Sequence, residues 1–120
     1  MNFEWSTNDI ATMTVTIYET NLTLNKAACV HFEDVNYVLL GIDREARQIG
    51  IKPVTKQEID NIYPKSQLHR ISLGKSYGRI SNKSFVLDLS EEFGLDFSKQ
   101  QCYKLKATYD IVHTMMIIQL

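Results

Sequence analysis

Two stretches of this chain, residues 37–54 (YVLLGIDREARQIGIKPV) and 103–120 (YKLKATYDIVHTMMIIQL), align without a gap. Tyr37 falls on Tyr103, Leu39 on Leu105, Ile49 on Met115 and Ile51 on Ile117. In each, two apolar-rich runs flank a polar break, residues 43–47 in the first and 110–113 in the second. That is the pattern of a β-hairpin. A repeat constrains the fold strongly, because units this small are near the lower size at which a chain can hold a core unaided and should pack on one another.

The parts upstream also match. Asn25 and Asn82 each stand at the head of a helix-compatible run, over 25–32 and 82–93, and an Asn side chain caps a free first-turn N–H. In the longer run Phe85, Leu89 and Phe93 recur every fourth residue with Val86 beside them, which makes one face apolar. Gly94 is placed to close it. Before the first helix, Met13, Val15 and Ile17 alternate with polar residues, and a turn at 19–21 leads to Leu22, Thr23 and Leu24. Before the second, Ile71 and Leu73 alternate with Ser72, and residues 74–78 turn the chain into Arg79, Ile80 and Ser81. The expected organisation is an N-terminal tail (1–12), a first half (13–54), a linker (55–66) holding Pro64 and one helical turn near 56–62, and a second half (67–120). The fold class is mainly β with two short helices (α+β), in tandem β-α-β-hairpin halves packed as one domain. The expected core is Leu39, Ile49, Ile51, Phe85, Leu89, Leu105, Met115 and Ile117.

Hydrophobic residues make up 44% of the chain, enough for a packed core and too many for disorder. The start of the chain lacks the basic and apolar regions of a signal peptide. The longest apolar runs, 37–40 and 115–118, are far too short to span a bilayer. These features predict a cytoplasmic protein with no membrane partner.

Few residues are arranged for catalysis. His31, His69 and His113 form no H-x-x-x-H or H-E-x-x-H pattern. Residues 72–76 lack the leading glycine of a phosphate loop. Asp88, Glu91, Glu92 and Asp96 read as a solvated helix face. Cys29 and Cys102 have no metal-ligand spacing and read as two reduced, semi-buried thiols. The expectation is a non-enzyme with no catalytic residues, metal or cofactor.

The formal net charge is -1, so any electrostatic role must come from where charge sits. Residues 61–87 contain Lys65, Arg70, Lys75, Arg79 and Lys83, with His69, and no Asp or Glu. Residues 1–34 carry Glu4, Asp9, Glu19, Glu33 and Asp34 against Lys26 alone. Spaced cations can neutralise phosphates and release counterions. Tyr77 beside Lys75 and Arg79 offers a stacking contact, and Gly74 and Gly78 would allow close backbone approach. The candidate nucleic-acid-binding set is Lys65, Arg70, Lys75, Tyr77, Arg79 and Lys83. A hairpin over 71–81 would bring Arg70 near Arg79 and put Lys75 at its tip, with Lys83 in the first turn of the helix. The competing reading is that these cations pair with the acidic N-terminal stretch.

Residues 77–119 resemble the AbrB-type swapped-hairpin domain. The resemblance lies in the Gly78-Arg79-Ile80 step, the capped helix ending at Phe93-Gly94-Leu95, the strand at 103–108 and the return strand at 114–119. Relatives of the MraZ type carry two such units on one chain. The resemblance implies one pseudo-two-fold, swapped-hairpin-like barrel that binds DNA through arginines on its strands and loops. Ser81-Asn82 stands where that family commonly has proline, the helix has no arginine, and the first half has Asn21-Leu22 in place of the Gly-Arg step. A DNA-binding transcriptional regulator is therefore the leading functional expectation. A protein-interaction module, such as an antitoxin or a phage- or mobile-element-encoded inhibitor of a host enzyme, is the alternative. A protein partner or a homodimer is left open.

Overall fold

The computed structural model describes residues 2–3 and 12–120. The expected tail, with Glu4 and Asp9, thus lies outside the described residues apart from Asn2, Phe3 and Thr12. Strand β1 (Met13–Ile17) and strand β2 (Asn21–Asn25) form a hairpin. Helix α1 (Lys26–Cys29) follows and tightens into a 3-10 turn, Val30–Phe32. Asn25 caps it by accepting from the Ala28 N–H at 3.0 Å. Strands β3 (Tyr37–Asp43) and β4 (Gln48–Val54) make the first long hairpin. The connecting segment holds helix α2 (Lys56–Asn61), started by a Thr55–Glu58 capping box, and a 3-10 turn, Lys65–Gln67. Then come β5 (His69–Arg70), β6 (Ser72–Leu73) and β7 (Tyr77–Ser81). Helix α3 (Lys83–Phe93) runs from the Asn82 cap to Gly94, whose left-handed φ of 71° suits glycine. The second long hairpin is β8 (Tyr103–Asp110) and β9 (Met115–Gln119). The described chain thus has three short helices: the two expected at the Asn caps, and α2, which falls on the helical turn expected in the linker and is started by its capping box.

All nine strands join one antiparallel sheet in the order β5-β3-β4-β9-β8-β1-β2-β7-β6. Its two ends, β5 and β6, are consecutive in the chain and separated only by Ile71. The sheet therefore curls into a nearly closed barrel. Ile71 is buried at the bend and donates its N–H to the Asn36 carbonyl. The single strand expected before the 74–78 turn is in fact split there. Its first part pairs with β3 and its second with β7.

The barrel interior is filled by Val15, Ile17, Leu22, Leu24, Val38, Ile49, Ile51, Ile80, Met116 and Ile118, with Ala28, Phe32, Val86 and Leu89 from the helical segments. Ile49, Ile51 and Leu89 are buried as expected, and Phe85 and Leu105 pack half-buried on the core. Leu39, Met115 and Ile117 are not core residues; Val38, Met116 and Ile118 point inward instead. Side chains alternate along a strand, so a one-residue error in phase exchanges the two faces.

The same phase error undoes the gapless alignment of residues 37–54 with 103–120. The gapless alignment sets outward Leu39 on inward Leu105, and buried Ile49 on half-exposed Met115. The two hairpin turns are alike in local geometry. Asp43 accepts from the Ala46 N–H at 3.0 Å and Asp110 from the His113 N–H at 3.1 Å. Arg47 and Thr114, at φ 56° and 53°, close the respective loops. Both hairpins thus use a four-residue loop ending in a left-handed residue.

Candidate nucleic-acid interface

The outward face of β8-β1-β2-β7 is built by period-two alternation. Inward go Val15, Ile17, Leu22, Leu24, Gly78, Ile80 and Ala107, all buried. Outward go Thr14, Thr16, Thr23, Tyr77, Arg79, Lys104 and Lys106. The ladder registers align these into a row. Lys104 lies opposite Thr16, Thr16 opposite Thr23, Thr23 opposite Arg79, and Arg79 opposite Ser72. At about 4.8 Å per strand, Lys104 and Arg79 stand about 14 Å apart along it. A neighbouring row sets Lys106 opposite Thr14 and Asn25 opposite Tyr77. The Thr14 N–H, donating to Asn25 Oδ1 at 3.1 Å, links its two halves.

β1, β2, β6, β7 and β8 as far as Thr108 contain no carboxylate. Arg79, Lys104 and Lys106 are exposed and form no ion pair among the described residues. The Arg79 guanidinium lies 5.5 Å from the centroid of the Tyr77 ring, which is itself 47% exposed. The ring steadies the cation from one side and leaves its hydrogen-bonding edge free. Among the described residues the face thus offers three cations without an ion-pair partner, hydroxyls between them and one aromatic platform.

Of the six candidates, Tyr77 and Arg79 lie on this face. Lys75 sits in the β6–β7 turn, at the expected tip, where the Gly74 N–H donates to the Tyr77 carbonyl at 2.8 Å. The others lie elsewhere. Arg70 pairs with Tyr37 on β3, and Ser72 occupies the place opposite Arg79. The split at Ile71 is the reason. Lys65 is exposed in the 3-10 turn of the connecting segment. Lys83 lines a shallow groove with Glu19, Val86, Ser90 and Asp96. None of Lys65, Arg70, Lys75, Arg79 and Lys83 forms an ion pair among the described residues. Gly78 has a packing role rather than one at the surface. It is buried, and a Cβ there would meet Leu73 Cδ2 at 2.8 Å and Cys29 Sγ at 2.9 Å.

Sequence reasoning missed Lys104 and Lys106. Their signal is the alternation Lys104-Leu105-Lys106-Ala107, which exposes both lysines on one side of a strand.

The remaining polar groups sit apart. His31 stacks on Tyr109 at 3.8 Å between centroids. His113 Nδ1 lies 2.7 Å from Asp110 Oδ2, and that contact holds the Asp110 carboxyl below its ordinary range. His69 Nδ1 lies 2.8 Å from Asn82 Nδ2, and burial lowers the His69 pKa. Cys29 is a buried free thiol whose pKa is raised by burial and then by Glu33. Cys102 is a half-buried free thiol. No helix of the described chain is long and apolar enough to cross a membrane. Comparisons with protein-family models, curated proteins and solved structures found no match.

Proposed function

We propose that this is a nucleic-acid-binding protein of the double-stranded kind, a DNA-binding regulator that contacts phosphates through the outward face of β8-β1-β2-β7. The observation that carries the reading is the Lys104–Thr16–Thr23–Arg79–Ser72 row, with Lys106 and Tyr77 beside it on strands that carry no carboxylate among the described residues. Lysine, arginine and hydroxyl side chains are the groups that position a protein on a phosphate backbone. A face of four strands is too wide to enter a groove as a two-stranded ribbon does. Phosphate contact is therefore its main mode, with Lys75 on the adjoining turn free to reach further.

The swapped-hairpin reading draws support from topology. Exchanging β1, β2, β3 and β4 for β5–β6, β7, β8 and β9 leaves the circular strand order unchanged. Two interleaved halves, matched with Asp43 on Asp110, would produce that order.

The test is the affinity for a random-sequence duplex of about two helical turns, followed by fluorescence anisotropy as salt rises. Three phosphate contacts give a slope of log K against log salt of about -2.7, and Arg79→Ala or Lys104→Ala each reduce it by about 0.9. Lys83→Ala, away from the face, leaves it unchanged. Binding that ignores salt, or a slope the same in Arg79→Ala and Lys104→Ala as in the parent, would sink the reading.

A further inference from the structure

The two long hairpins are unequally covered at their outer edges. β8 is paired along residues 103–107 by all five residues of β1. β3 is paired only at Tyr37 and Val38, by β5. Over residues 39–43 β3 has β4 as its one strand partner among the described residues. The chain runs close by without supplying a strand. β5 begins at His69, and the 3-10 turn before it places Ser66 and Gln67 across a gap from β3. The result is a groove of about 800 Å³ between them.

The groove is lined by the outward face of β3, β4 and β9, with Leu39, Gly41, Gly50, Met115 and Ile117 as its apolar part. A Cβ on Gly41 would meet nothing within 4 Å, so the space over the strand is open. The charged residues around it are engaged within the fold. Lys52 Nζ donates to the His113 and Thr114 carbonyls at 2.7 and 3.3 Å. Asp43 accepts from the Ala46 N–H, and Asp110 is held by His113. The groove thus presents an apolar wall and the backbone donors and acceptors of a strand edge. An extended polypeptide meets both at once.

We propose that this groove docks an extended peptide segment of a partner protein, which adds as a strand to β3 over residues 39–43 and lays uncharged apolar side chains at alternate positions against Leu39 and across Gly41 toward the end of Met115, which lies over Gly50. Five residues give about 17 Å of ladder. That suits a short segment and falls well below the surface a lasting homodimer buries. The site uses other strands than the basic face, so it stands or falls independently of DNA binding.

The experiment selects a displayed random decapeptide library on the full chain, with counter-selection on Gly41→Trp, whose ring would fill the groove. Thermal unfolding verifies that the variant is folded. Selected peptides should carry apolar residues at every second position and no central proline. A selected peptide, at saturation, should slow amide exchange within residues 39–43 by about tenfold or more. Gly41→Trp and a proline-interrupted copy of the peptide should each weaken binding at least about tenfold, equal to about 1.4 kcal/mol. Since the interrupted peptide is tested on the unaltered protein, the proposal stays exposed to failure even if the variant does not fold. Failure to select any peptide, equal binding by the interrupted peptide, or unchanged exchange at residues 39–43 overturns it. So does protection of that edge by raised protein concentration alone, which would assign it to a second copy.

Discussion

The Asn82 side chain serves two neighbours. Its oxygen accepts from the Phe85 N–H at 3.0 Å, which starts α3, and its Nδ2 lies 2.8 Å from His69 Nδ1. For Nδ2 to donate there, His69 Nδ1 must be unprotonated. Protonation would set two donors against each other, and burial already lowers the His69 pKa from 6.5. The sign follows by linkage. A histidine with a lowered folded pKa contributes stability above its unfolded pKa, and that contribution is lost as pH falls, because the unfolded state takes up the proton first. Denaturant unfolding of the parent and of His69→Gln should therefore differ more at pH about 7.5 than at about 5.5. A difference that stays constant across this range would show that His69 is not the group involved. A second contrast at this scale is between the thiols. Cys29 is packed beneath Gly78 with its pKa raised, whereas Cys102 is half-buried.

Helix α3 is defined at both ends by single residues and along its length by one face. Val86 and Leu89 are fully enclosed, while Leu87 is 58% exposed. Leu89→Ala should cost about 2–5 kcal/mol through lost transfer energy and the cavity left behind. Leu87→Ala should stay within about 0.5 kcal/mol, and Asn82→Ala should cost about 1 kcal/mol as a lost cap. Urea midpoints of the three variants check this order; comparable losses in Leu87→Ala and Leu89→Ala would contradict it. The helix was legible because its period, cap and closing glycine agree. The hairpins were legible for a similar reason, since polar residues interrupt apolar runs at 43–47 and 110–113. The inward face was not. Residues 115–118 are Met-Met-Ile-Ile, and residues 38–40 are Val-Leu-Leu, so apolarity alone cannot choose a phase where both faces carry it. The split strand at Ile71 was also hidden, because a bend that serves two different neighbours leaves no mark in local composition. The basic face was half legible. Tyr77 and Arg79 are adjacent in sequence, but Lys104 and Lys106 join them only through ladders to β1 and β2.

Most of the barrel's ladders that close it join residues far apart in the chain. β1 pairs with β8, β2 with β7, β4 with β9 and β3 with β5. Each of these ties residues 13–54 to residues 69–119. Each group taken alone would expose strand edges that the other now covers, and such edges are open to mispairing. Folding must wait for these non-local contacts, which is slow by topology, and no strand group has a complete core of its own. A protease site placed after Tyr63 puts this to the test. The cut chain should elute as one complex of two fragments under native conditions and separate in denaturant. Fragments that part without denaturant, each keeping its strand content, would show that the groups fold alone. Once severed, the connecting segment no longer supplies a high effective concentration of one fragment for the other. The melting temperature of the cut protein, unlike that of the intact chain, should therefore climb as the sample is made more concentrated.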